Sequence, residues 1–522
     1  MLQKISGSSF LLLALISLII LFSNLGGIPL LDPDEPVYAQ TPKEMLQSAD
    51  LISPRIYGEF WYDKPPMYYW LVAGAYQLFG VNEFAARFPS ALLGLITVLY
   101  IYVMGTRFFG ERAGFFSALI LVTSIEFFYL GKAAVTDITL TLCLTIALLS
   151  FIDKKYYLFY IFAGLATVTK GPVGVLFPGA IIVLYIALTQ RWTELKSMKL
   201  PAGIFIYAAV ALPWYVIMYQ LHGAAFIDTF IGFHNVTRFT SPEHPEGVLW
   251  YYFIPVLLLG FFPWSAVMLQ AAWSSLTSSN RGFSKLAFLN IWAWFIFLFF
   301  TVSRTKLVSY ILPMYPPLAM IVGWYIATLL ERRTKRGQTA WAAALLVLGL
   351  LLTGVCILGS REMPQLMWGA YAAAVVFGLI AVLGSYWLWK NEIKRVLGLQ
   401  IAAMAVFSVI FVTMLLPAVE QYFSSQQFAK EFQAKYDGNS PVYVVKFLRP
   451  GLAFYADFYG TEIESNWGDA PLLAEVVEKE KKENRKAYFI IQQMQYKKLS
   501  AEHQQELQVL VKVADSMVLL KE

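Results

Sequence analysis

Thirteen apolar runs organise this chain more than any other property. They lie at approximately 9–31, 86–106, 113–130, 135–152, 156–169, 172–190, 201–220, 249–270, 286–303, 307–330, 340–359, 366–388 and 397–418. A helix of about 17 to 25 apolar residues crosses the hydrocarbon core of a bilayer. In lipid a backbone must also satisfy its own hydrogen bonds, which leaves helices as the economical solution for runs of this kind. The chain therefore reads as an all-α polytopic membrane protein with about 13 transmembrane helices. Only 14% of its 522 residues are charged, against about a quarter in a soluble domain. Aromatic residues make up 16%, and Trp and Tyr favour the membrane interface.

The net charge of +6 does not point to nucleic acid, because the basic residues are scattered through short loops instead of gathered on one face. Cys143 and Cys356 both lie inside apolar runs, which argues against a disulfide framework or a thiolate metal site. The first run follows a single Lys4, exceeds a signal-peptide core, and has no small-x-small cleavage site before the acidic segment. It is expected to be a retained anchor.

Lys and Arg set the orientation of such a chain. With a cytoplasmic N-terminus the inner stretches hold 17 basic residues and the outer stretches, up to residue 419, hold ten. An odd number of spans then puts the C-terminal hundred residues outside, with the loop that follows the first run. From about Ser424 the composition becomes that of a small C-terminal α/β periplasmic domain. SSQQFAKEFQAKY and PLLAEVVEKEKKEN have helical amphipathicity, while PVYVVKFL, KAYFIIQQ and QVLVKVADSMVLL read as strands. The expected organisation is a transmembrane domain over 1–420, its first outer loop 32–85 catalytic, and a periplasmic domain over 421–522.

The first outer loop opens with LDPDEP, placing Asp32, Asp34 and Glu35 at the membrane surface, and continues to FWYDKPPMYYW with Asp63 and Lys64. On the same side fall Arg55, Glu126, Lys132, Asp137, Lys170, Arg304 and Lys306. Arg238, His234 and His244 lie there too, in a stretch 221–248 that reads as a loop. Cations that defy the positive-inside bias suit an anionic ligand such as a lipid-linked phosphate. The carboxylates have the complementary use: transfer of a glycosyl group to a hydroxyl needs a base for the hydroxyl proton, and the departing phosphate needs positive charge.

At these residues the chain resembles the bacterial protein O-mannosyltransferase-like superfamily, close to the transferases that attach 4-amino-4-deoxy-L-arabinose to lipid A. DPDEP (32–36), FWYDKPPMYYW (60–70), FGVNEFAARFPSAL (79–92), GKAAVTDITLTLCL (131–144) and ATVTKGPVGVLFPG (166–179) carry the resemblance. It continues through HNVTRF (234–239), WYYFIPVLLLGFFPW (250–264), SRTKLVSYILPMYPPLA (303–319) and RPGLAFYADFYG (449–460). The resemblance implies a GT-C fold, a polyprenyl-phosphate sugar donor, inversion at the sugar carbon and a lipid or glycan acceptor, with no organic cofactor. It puts Asp34 on the family's catalytic acidic position, with Glu35 beside it, and Asp137 on a second acidic position. Lys64 falls on the lysine expected at the donor phosphate, with Arg55, Lys170, Arg238, Arg304 and Lys306 as further candidates. A divalent metal would fall to Asp63, His234 and His244. Asp63 stands where the family usually has a glutamate, and the histidine of HNVTRF sits one residue earlier than in the transferases.

Other readings compete with an enzyme that modifies lipid A. A transporter or flippase of lipid-linked sugars usually shows internal repeats and polar residues at the midplane, whereas here they gather at one face. A non-catalytic assembly subunit for surface polysaccharide would need no acid at position 34. A protein O-glycosyltransferase would share every feature except the acceptor.

Overall fold

The computed structural model describes residues 6–237, 249–278, 283–332, 336–463 and 472–522. Among them, seven helices are long and apolar enough to cross a membrane, and nine spans result if each of two bent helix pairs counts as one. Gly7–Phe22, Asp137–Ile152 and Val173–Thr189 are shorter apolar helices. The chain is thus a multi-pass, mostly helical membrane protein.

By contacts the chain forms two compact units. One comprises residues 1–25, 62–68 and 88–415; the other comprises 26–61, 69–87 and 416–522. The boundary is not the single cut near residue 420 that composition suggests, because most of residues 32–85 belong with the C-terminal segment.

In the first unit several apolar runs depart from simple spans, each for a local reason. The run 113–130 becomes Glu111–Val122 and Ile125–Gly131, bent by 66°. At the break the Thr123 hydroxyl donates to Leu119 O at 2.6 Å and the Ser124 hydroxyl to Ile120 O at 2.7 Å. The Ser124 hydroxyl takes the carbonyl that its own N–H would serve in a continuing helix, while that N–H turns to Leu121 O at 3.3 Å. The run 249–270 becomes Phe253–Gly260 and Ser265–Leu276, crossing at 102°. Pro263 lies between them and has no N–H to continue the helical ladder. The apolar run 9–31 stays helical only over Gly7–Phe22. The stretch from 221, read as a loop, is instead helical to Ile227 after a kink at Gly223 (φ +58), and then π-helical over Asp228–Thr237.

Helices pack here through small residues, as expected where lipid supplies no hydrophobic drive for helix association. Tyr315–Arg332 lies against Glu111–Val122 so closely that a Cβ at Gly323 would strike Ser117 and the Ala113 carbonyl. Tyr315–Arg332 is buried almost throughout.

In the second unit five strands follow the order Thr461–Ile463, Val442–Val445, Ala487–Gln492, Ser516–Lys521, Gln508–Val513. The first three are mutually parallel and the last two add antiparallel. The run QVLVKVADSMVLL, read as one strand, is a hairpin turning at Ala514–Asp515, where Ala514 has φ +49. Gln426–Gln433 and Leu473–Lys482 are helices as their periodicity predicts. Arg449–Ala456 is a third helix, whose eight residues begin with Arg-Pro-Gly and so hide a helical pattern. Phe428, Phe432, Val444, Tyr488, Phe489, Ile490 and Leu519 are among the residues of the core.

Candidate functional site

The acids of LDPDEP separate into two anchors and one exposed group. Asp34 is the first residue of the helix Asp34–Gln47 and is exposed, while Asp32 and Glu35 on either side are buried. Glu35 is held by Arg87, whose Nε donates to Oε1 at 2.8 Å and whose Nη2 donates to Oε2 at 2.6 Å. The Leu31 N–H also donates to Glu35 Oε2 at 2.9 Å. The same guanidinium donates to the carbonyls of Ile28 and Pro29, each at 2.7 Å. This use of Arg geometry, one planar fork joining a carboxylate to two carbonyls, fixes the turn before the helix. Glu35, expected as a catalytic acid, is therefore committed to an ion pair with both oxygens engaged.

Asp32 faces the C-terminal segment. It accepts from the Ser425 N–H at 2.8 Å and the Ser425 hydroxyl at 2.5 Å. Burial pushes its carboxyl up to about 8, although the Ser425 hydrogen bonds pull the other way. Arg55, a candidate phosphate ligand, begins the two-residue strand Arg55–Ile56. Its guanidinium lies 4.0 Å from the Phe60 ring centre and 3.7 Å from Asp50.

In the membrane unit, Lys64 donates to Asp63 Oδ1 at 2.7 Å, and both are mostly buried. The prolines 65 and 66 hold this pair ahead of the helix Met67–Phe79. Asp137 and Lys170 form a second pair at 2.7 Å. Asp137 opens the helix Asp137–Ile152 and Lys170 closes the helix Tyr156–Lys170, each at the end its charge favours through the helix dipole. The Lys170 ammonium also lies 5.1 Å from the Tyr310 ring centre. Four residues before Tyr310, Lys306 is buried and donates to Ser303 O at 2.7 Å. Burial lowers its pKa and the adjacent Arg304 charge lowers it further. An anion would relieve that crowding. Arg304 itself is exposed.

Other members of the outer-face group have structural tasks. Lys132 donates to Ser23 O at 2.5 Å and Ser23 Oγ at 3.0 Å, a cation on the last turn of the first helix. Glu126 is buried and accepts from the Tyr315 hydroxyl at 2.5 Å. Arg238 and His244 lie outside the described residues, and only the backbone of His234 is described, in Asp228–Thr237. No group of three His, Cys, Asp or Glu that could hold a metal occurs among the described residues. Asp63, the remaining expected ligand, has the Lys64 ammonium on its carboxylate. These described residues do not make a metal cage.

Sequence reasoning missed Arg87, Ser425 and Tyr310. Arg87 alone left a signal, as a cation on the side expected to be outer, against the positive-inside bias.

Compared with solved structures, the chain matches ArnT from Cupriavidus metallidurans, bound to undecaprenyl phosphate, with a TM-score of 0.82 over 98% of each chain at 22% identity. The archaeal oligosaccharyltransferase AglB from Archaeoglobus fulgidus aligns at a TM-score of 0.54 and 13% identity, over 93% of this chain and 69% of that one. The fold is thus that of the GT-C membrane glycosyltransferases. A family model described as dolichyl-phosphate-mannose-protein mannosyltransferase matches residues 63–217. An uncharacterised protein of Aquifex aeolicus is 30% identical over 461 residues, 86% of this chain and 87% of its own. The undecaprenyl phosphate-α-4-amino-4-deoxy-L-arabinose arabinosyl transferase of Edwardsiella ictaluri is 28% identical over 419 residues, 74% of each chain. The chain belongs to the protein O-mannosyltransferase-like superfamily.

Proposed function

We propose that this protein is an inverting glycosyltransferase of the bacterial inner membrane. It moves a sugar from undecaprenyl phosphate to a periplasm-facing acceptor, lipid A or another cell-envelope glycan. The observation that carries this reading is the sorting of the LDPDEP acids: two buried anchors present a single exposed carboxylate, Asp34, at the head of a helix. The relatives named as undecaprenyl-phosphate-sugar transferases support the donor class.

The chemistry follows from these groups. The acceptor hydroxyl oxygen attacks the anomeric carbon, and its proton passes to Asp34. The bond from that carbon to the phosphate oxygen breaks on the opposite face, leaving its electron pair on the phosphate. The new negative charge calls for cations, and Lys64 and Lys170 are the candidates for that task in the membrane unit. Asp63 and Asp137 hold the two lysines in place through the ion pairs described above. We assign thirteen spans, a cytoplasmic N-terminus and a periplasmic α/β C-terminal domain, supported by the 17-to-10 division of basic residues.

The test is purified full-length protein with undecaprenyl phosphate-α-4-amino-4-deoxy-L-arabinose and lipid A, read by mass spectrometry of the lipid A product. Asp34→Asn should lower kcat by about 10²–10⁴-fold, the range of a lost general base. Turnover near wild type would remove Asp34 from the chemistry.

A further inference from the structure

Four contacts stitch the residues just before Asp34 to the C-terminal segment. The Asp32 N–H donates to Phe423 O at 2.6 Å. One oxygen of the Asp32 carboxyl group accepts from both the N–H and the hydroxyl of Ser425. The Leu30 N–H donates to the Tyr455 hydroxyl at 2.7 Å, and that hydroxyl donates to Glu83 Oε1 at 3.1 Å.

Two details show that this junction is built for Asp32. Ser425 occupies the N-cap of Gln426–Gln433, where a serine side chain ordinarily accepts from a helix N–H, yet it makes no such bond and its hydroxyl donates a hydrogen bond to Asp32 instead. Gly451 leaves room for the carboxylate: a Cβ there would come within 2.5 and 2.7 Å of its two oxygens. On the far side of Asp34, Arg87 clamps Glu35. The exposed acid therefore lies between two fixed points only three positions apart, Asp32 and Glu35.

We propose that Asp32 is a positioning residue through which Ser425 and Gly451 of the C-terminal segment fix the direction of the Asp34 carboxylate. This rests on the reading of Asp34 as the base. The C-terminal segment is then part of the catalytic scaffold and not an appended acceptor domain. Its contribution is orientation, and a misplacement of about 1 Å can cost about 10²-fold in rate.

The experiment uses full-length protein in detergent micelles with the same arabinose donor and lipid A. Asp32→Ala and Ser425→Ala should each lower kcat by about 10- to 100-fold while donor KM stays within about threefold of wild type. The double variant should be no slower than the slower single, because both act through one contact. Ser425→Thr, which keeps the hydroxyl, should recover most of the lost kcat. Hydrogen–deuterium exchange across residues 26–47 supplies a readout independent of turnover, and Ser425→Ala should speed exchange there while the rest of the protein is unchanged. Wild-type kcat in both single variants, beside an inactive Asp34→Asn, would overturn the positioning role and leave the base intact. Multiplicative losses in the double variant would overturn it too. An active Asp34→Asn would defeat the reading of Asp34 instead, and unchanged exchange in Ser425→Ala would then dismiss the tie as well.

Discussion

Arg87 and Glu35 form a pair whose loss can be worked out group by group. Their side chains are 4% and 6% exposed, so neither charge has water to fall back on. Arg87→Ala removes both guanidinium bonds to the carboxylate and the donors serving the Ile28 and Pro29 carbonyls. Breaking a buried pair by deleting one partner costs about 3–5 kcal/mol, because the survivor stays buried and uncompensated. Glu35→Gln leaves the cation buried instead and should fall near the lower end of that range. The double variant Arg87→Met with Glu35→Leu removes both charges and should recover part of the loss. It should still remain about 1–3 kcal/mol below wild type, since the two carbonyls and the Leu31 N–H lose their partners. Unfolding of the purified protein in mixed micelles, titrated with a denaturing detergent, compares wild type with these three variants. Single variants that unfold like wild type while turnover disappears would refute this account. Glu35 would then be a chemical participant, as its place in the acidic motif first implies.

Three further outcomes are expected. Lys64→Ala should raise donor KM more than Lys64→Arg does, because the charge is what meets the phosphate; equal binding of undecaprenyl phosphate by both variants and wild type would remove Lys64 from the site. Asp32 is pushed from 3.8 to about 8 by burial, so the folded protein holds a proton that the unfolded chain has released. Its stability contribution is complete below about pH 4 and is lost as pH rises through about 8. Asp32→Asn should flatten unfolding midpoints over that window, and an unchanged slope would count against the burial of this carboxyl. For topology, a phosphatase fused after Glu522 should be active and one fused at Arg332–Arg336 inactive; the reverse would move the acidic segment into the cytoplasm.

Local pattern was enough for much of this protein. The apolar runs dictated helices because lipid leaves backbone groups no other partner, and each expected run meets a helix or a bent pair. The switch to alternating and amphipathic patterns after Ser424 dictated strands and helices in the C-terminal segment. The motif LDPDEP marked a cluster of acids at a helix start, and the out-of-place cations marked candidate partners for an anion.

Tertiary structure decided the tasks of individual residues, because three acids within four positions look alike until their partners are known. Arg87, 52 residues from Glu35, made that glutamate an anchor. Ser425, 393 residues from Asp32, did the same for that aspartate, and Asp34 remained the exposed member. Lys132, grouped by topology with the ligand-binding cations, became a helix cap once Ser23 lay beside it. Sequence periodicity reports which face of an element is apolar, whereas the use of a charge depends on whether burial and a distant partner claim it first.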